Sequence, residues 1–124
     1  MEHKYDFDRQ LPHNIEAEQI VLGSVLLDPE SIALLAETLQ VEQFYAKRHQ
    51  LIFETMLEMY DTGDPIEGVL LLSKLREQGE FTSDEDSQYL LLLAENASSV
   101  KSIDYYTKII ADAVAKSEEI VAAS

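Results

Sequence analysis

Ile103, Tyr106, Ile110, Ala113, Ser117, Ile120 and Ser124 follow one another at spacings of 3, 4, 3, 4, 3 and 4 residues. A helix with that repeat keeps one apolar or small-residue stripe in line for about six turns, and the stripe needs a second helical surface to cover it. Val114 and Val121 widen the seam, and no glycine, proline or other stop intervenes before Ser124. The sequence is therefore expected to end inside a helix and to be a fragment of a longer chain. Helical periodicity also governs the rest. Leucine dominates the apolar segments and two-residue alternation is absent, which argues against strands. The expected fold class is all-α, a compact bundle of about six helices. At 124 residues and 46% hydrophobic composition, one domain burying roughly two-thirds of its unfolded surface is the expectation.

The helices have recognisable starts and stops. Residues 1–10 mix charge and aromatics without period and read as a mobile arm, closed by Leu11-Pro12-His13. Asn14 is a good N-cap, Glu16 sits where the helix dipole favours an anion, and Ala17, Ile20, Val21, Ser24 and Val25 form an inward stripe. Leu22, Leu26 and Leu27 lie off that stripe, which makes the first helix central. Gly23-Ser24 costs propensity there but lets a neighbouring helix come close. Asp28-Pro29-Glu30 combines a cap, a first-turn proline and an acid, opening a second helix to about Leu39. His49, Ile52, Phe53, Met56, Leu57 and Tyr60 make the stripe of a third, stopped by Gly63. A fourth runs from about Glu67 to Gln78, ending at Gly79, and Asp84-Glu85-Asp86 leads into a fifth with apolar residues from Tyr89 to Ala94, Leu92 among the expected core.

Charge narrows the function classes. The net charge of −15, from 24 acidic and 9 basic residues, repels phosphate and releases no counterions from nucleic acid. Direct nucleic-acid binding is not expected, and a basic protein partner is. No apolar run of about 18 residues and no leader pattern occurs, so neither membrane span nor secretion signal is expected and the location reads as cytoplasmic. Cysteine is absent, which removes disulfides and thiolate metal sites.

Catalytic constellations are missing as well. None of Gly23, Gly63, Gly68 and Gly79 fits the G-x-x-x-x-G-K-[ST] loop that cradles nucleotide phosphates. His3, His13 and His49 are too far apart in sequence for a two-histidine helical metal site, and His49 falls on a core stripe, where a hydrogen-bonded structural histidine is expected. Glu16 and Glu18, two apart, point to different sides of their helix and do not form an acid/base pair. No catalytic, cofactor or metal residue is assigned.

The order Leu11-Pro12-His13-Asn14-Ile15-Glu16-Ala17-Glu18-Gln19, Val21-Leu22-Gly23, Leu27-Asp28-Pro29, Phe44-Tyr45, His49, Ile52-Phe53, Gly63-Asp64-Pro65-Ile66, Tyr89-Leu90, Leu93-Ala94-Glu95-Asn96 and Tyr105-Tyr106 resembles the N-terminal domain of DnaB-type replicative DNA helicases, from about Arg9 to Ser124. The resemblance implies a globular head over 11–100 and, over 101–124, the first arm of a truncated helical hairpin. Such hairpins pair subunits into a trimer-of-dimers collar above a hexameric motor ring. It further implies binding of the C-terminal helicase-binding domain of primase and communication with a helicase loader. Tyr89, Ile120 and Glu16 fall on positions implicated in the primase coupling. Subunit pairing would rest on Ile110, Ala113 and Val121 of the seam, and ATP and magnesium would belong to a motor domain absent from this sequence. Tyr89 beside Asp84-Glu85-Asp86 also suits contact on simple grounds, an aromatic next to charges that steer a basic partner. A stand-alone acidic helical adaptor or loader-like protein is the alternative, and sequence following Ser124 distinguishes the two.

Overall fold

The computed structural model describes residues 14–98 and 103–112. The arm over 1–10, and Ala113, Ser117, Ile120, Val121 and Ser124 of the seam, lie outside the described residues. Within them, the helices are α1 (Ile15–Leu27), α2 (Ile32–Thr38), α3 (Lys47–Thr62), α4 (Gly68–Glu77) and α5 (Asp84–Ala97), with α6 at 103–112. Short 3-10 turns at Pro29–Ser31 and Val41–Gln43 flank α2. No strand occurs among the described residues, and the domain is all-α.

α1 begins as its sequence dictates. The Asn14 side chain accepts the Ala17 N–H at 2.9 Å, and Ala17, Ile20, Val21, Leu22 and Val25 are all buried, so the helix is central. It lies chiefly against α5, and Gly23 makes that approach possible. A methyl group built there would sit 1.9 Å from the Leu93 carbonyl oxygen. Ser24 is only half-buried and turns its hydroxyl to the Ile20 carbonyl at 2.7 Å.

The expected second helix divides in two. The Asp28 side chain makes no capping bond; instead the Ser31 N–H reaches the Asp28 carbonyl at 2.9 Å, closing a 3-10 turn before α2 starts at Ile32. In α3 the buried set is His49, Ile52, Phe53, Thr55, Met56 and Met59. Tyr60, expected inside, is 46% exposed, because the stripe follows i, i+3, i+4 through Met56 to Met59. The Thr55 hydroxyl is satisfied by the Leu51 carbonyl, which makes its burial tolerable.

Gly63 and Gly79 end α3 and α4 with positive φ of 78° and 82°. Beyond each, an N–H reaches back to the last turn, Asp64 to Met59 and Glu80 to Leu75, both at 2.9 Å, the pattern of a left-handed helix stop. α5 opens with a reciprocal cap: Ser83 Oγ accepts the Asp86 N–H and an Asp86 carboxylate oxygen accepts the Ser83 N–H. Leu90, Leu93 and Ala97 point inward, whereas Leu92 is 42% exposed and is corrected from core to surface. The described part of the seam packs on the head. Ile110 belongs to its core and is 2% exposed, with Ile103, Tyr106 and Ile109 partly covered beside it.

Candidate functional site

Glu18 is a carboxylate with 1% exposure, held on α1 between Ala17 and the Val21, Leu22 and Val25 stripe. Its Oε2 accepts the Tyr45 N–H at 2.7 Å. Its Oε1 lies 3.3 Å from the Ala46 nitrogen and 2.7 Å from His49 Nδ1. Ala46, the N-cap of α3, offers no side-chain acceptor. A carboxylate 28 residues away in sequence therefore supplies the anion that the positive end of α3 favours.

The network continues outward. His49 Nε2 is 2.6 Å from the Tyr89 hydroxyl, which also accepts from the Gln19 amide at 3.2 Å. Donors and acceptors close in one arrangement: Nδ1–H donates to Glu18, Nε2 accepts from the Tyr89 O–H, and the Tyr89 oxygen accepts from Gln19. Every buried polar atom of the cluster then has a partner, as burial requires. The His49 and Tyr89 rings stack with 5.9 Å between centroids, and Arg48 covers Tyr89 with its guanidinium carbon 4.0 Å from the ring centroid. Arg48 also pairs with Asp86 at 2.9 Å. The Ser83 hydrogen bonds, then Arg48, hold the Asp86 carboxyl below the usual carboxylate range. Arg76 donates to the Phe81 carbonyl and to the Ser87 hydroxyl, fixing a loop in which Phe81 takes a φ of 53°, uncommon for an aromatic residue.

These contacts fasten α1, α3 and α5 together. Glu18, His49 and Tyr89 follow one another as in a nucleophile relay, but each is consumed in bonding within the chain, and His49 is fully buried. Their chemistry here is structural. Tyr89 is half-buried and Glu16 is exposed; Tyr89 meets α1 through Gln19, one helical turn from Glu16. Ile110 is buried in the head, while Ile120, Ala113 and Val121 lie outside the described residues. Glu18, Gln19 and Arg48 were not singled out as site residues by the sequence. The available signal was a buried histidine, which needs a partner, and Glu18 sharing the helical register of Leu22 and Val25. Among the described residues, no group of three or more His, Asp or Glu side chains could hold a metal ion, and no helix is long and apolar enough to cross a membrane.

Fold and site thus define an all-helical head locked by an internal polar network beneath an acidic surface. A family model described as the DnaB-like helicase N-terminal domain matches residues 10–112, and the chain belongs to that family. Among its relatives, the replicative DNA helicase DnaC of Bacillus subtilis is 37% identical over 103 residues, covering 83% of this chain and 23% of that protein. The replicative DNA helicase DnaB of Treponema pallidum is 36% identical over 102 residues, covering 82% and 23%. The chain thus spans about a quarter of these relatives' length. The crystal structure of the N-terminal domain of DnaB helicase from Mycobacterium tuberculosis superposes with a TM-score of 0.84 at 29% identity, covering 92% of this chain and 83% of that one. The N-terminal domain of DnaB helicase from Helicobacter pylori, whose structure was described with its interactions with primase, gives 0.68 at 23% identity, covering 92% and 87%.

Proposed function

We propose that this chain is the collar domain of a replicative DNA helicase, a module for subunit pairing and for binding primase and a loader during cytoplasmic DNA replication. The observation that carries the reading is the match over residues 10–112 to helicase N-terminal domains. The primase interaction described for the Helicobacter pylori domain supports primase as the partner class. The relatives favour this reading over a stand-alone adaptor. The collar carries no ATPase chemistry of its own and does not grip DNA. ATP and magnesium act in the motor domain, and hexamer formation belongs to the full-length protein.

Glu16 offers an exposed carboxylate and Tyr89 a half-covered ring under Arg48. With Ile120 they make the proposed primase-coupling set, while Ala113 and Val121 serve subunit pairing. Ile110, buried in the head, contributes to pairing by fixing the base of the seam.

Calorimetric titration with the cognate primase C-terminal domain tests the reading. Saturable 1:1 binding that weakens in Glu16→Ala, with the fold intact by circular dichroism, is expected. Absence of binding to the cognate domain at 100-fold excess over about 1 µM protein, a range in which ordinary specific complexes saturate, overturns it.

A further inference from the structure

α5 packs mainly on α1 and only lightly on α4, and an apolar groove of about 390 Å³ lies between α4 and α5. Leu26 forms one part of its wall, Val69 and Leu72 line it from α4, and Leu90, Leu91 and Ala94 line it from α5. Glu67 and Ser87 are the polar groups in the lining. Val69 is 84% exposed and Leu91 66%, a large apolar exposure for two neighbouring helices of a chain this acidic. The groove faces away from Tyr89, because Ser87, Leu91 and Ala94 lie roughly half a turn around α5 from it.

Its rim is acidic. Glu67 closes one end, Glu77 borders a shallower extension along α4, and Asp84 and Glu95 are exposed on α5 at helical spacing from Leu91. Of the basic side chains nearby, Lys74 is paired with Asp64 at 3.3 Å, while Arg76 lines the extension beside Glu77 and keeps its charge as it donates to the Phe81 carbonyl and the Ser87 hydroxyl; the four rim acids outnumber it. A small molecule would want several converging polar groups, which this lining does not provide. A trough between two helices instead suits a third helix, with its apolar stripe at i, i+3, i+4 and i+7.

We propose that the α4–α5 groove is a docking site for an amphipathic helix of another protein, one whose apolar stripe is flanked by lysine or arginine. Charge complementarity selects this occupant over a second copy of the chain, since two copies at net charge −15 would bring acidic rim against acidic rim. The site is separate from the one assigned to primase through Tyr89 and Glu16, and its test uses no primase, so either can fail alone.

The probe is a fluorescein-labelled synthetic helix of about 18 residues, long enough to hold helical structure, with leucines at i, i+3, i+4 and i+7 and flanking lysines. Fluorescence anisotropy with the full 124-residue chain should give saturable binding that weakens with added salt. The same peptide with glutamate flanks, or with its leucines scrambled, should bind at least about tenfold more weakly. Val69→Asp and Leu91→Asp should each cost about tenfold or more in affinity while circular dichroism is unchanged, because both positions are exposed. These substitutions add negative charge, so purely electrostatic attraction would grow instead of falling. Equal binding of the scrambled peptide, or variants within twofold of the parent, overturns the proposal. So does a sedimentation result in which the parent chain dimerises and Val69→Asp makes it monomeric, which would give the groove to a second copy.

Discussion

A carboxylate with 1% exposure is stabilised only if its oxygens are fully engaged, and Glu18 meets that condition with the Tyr45 and Ala46 N–H groups and His49. Replacing it with glutamine keeps the shape but turns an NH₂ group toward donors. Glu18→Gln is therefore expected to lower unfolding free energy by about 1–3 kcal/mol, measured by urea denaturation, while Glu18→Ala, which removes both acceptor oxygens, should release the Tyr45 amide to faster hydrogen exchange. Unaltered exchange at Tyr45 would contradict the capping role. Tyr89→Phe leaves His49 Nε2 and the Gln19 amide without their shared partner. It should cost about 1–2 kcal/mol in stability while changing primase affinity less than threefold; a larger affinity loss in the folded variant would make the hydroxyl a direct contact.

Between elements, the two glycines that matter do so for different reasons. At Gly23 the limit is space: an added methyl would overlap the Leu93 carbonyl of α5, and backbone does not yield as a flexible side chain does. Gly23→Ala should cost at least the upper part of the usual overpacking range of about 1–3 kcal/mol, seen as a lowered thermal midpoint. At Gly63 space is free but φ is +78°, so Gly63→Ala should cost only about 1 kcal/mol of backbone strain. Equal effects at the two sites would refute the packing assignment at Gly23. Much at this scale was legible in the sequence: the Asn14 start, the Gly63 and Gly79 stops, and the close approach at Gly23 all follow from local residue chemistry. Leu92 was misplaced because a continuous apolar run does not reveal which members face inward, and Tyr60 because a helical stripe does not reveal which of two adjacent residues, Met59 or Tyr60, closes it. That depends on where α1 docks on α5 and where α3 turns, which are tertiary facts.

Across the whole molecule, charge sets the response to acid. Asp64 is held below the usual carboxylate range by Thr62 and then Lys74, as Asp86 is by Ser83 and then Arg48. Carboxyls with lowered folded values contribute stability above their unfolded range and lose it as pH falls through the folded values. Thermal stability should therefore decline as pH drops below about 4, and Asp86→Asn should show a shallower decline over that window; an identical acid profile would remove Asp86 as a contributor. The family relationship was legible because its short motifs occur in order across the chain, but the internal network was not. Its members are separated by 27, 31, 40 and 70 positions, beyond any local pattern. Those separations bear on how the bundle finds a unique arrangement. Apolar burial alone ranks neighbouring alignments of leucine-rich helices closely, and the contact at Gly23 already disfavours those that would bring a side chain against the Leu93 carbonyl. A slip of α5 along α1, moreover, would take the Tyr89 hydroxyl from the fully buried His49 imidazole and from the Gln19 amide. The network thus acts as a register lock, selecting one alignment among apolar near-equals and delivering Arg48, Asp86 and the α4–α5 groove to fixed positions on the surface.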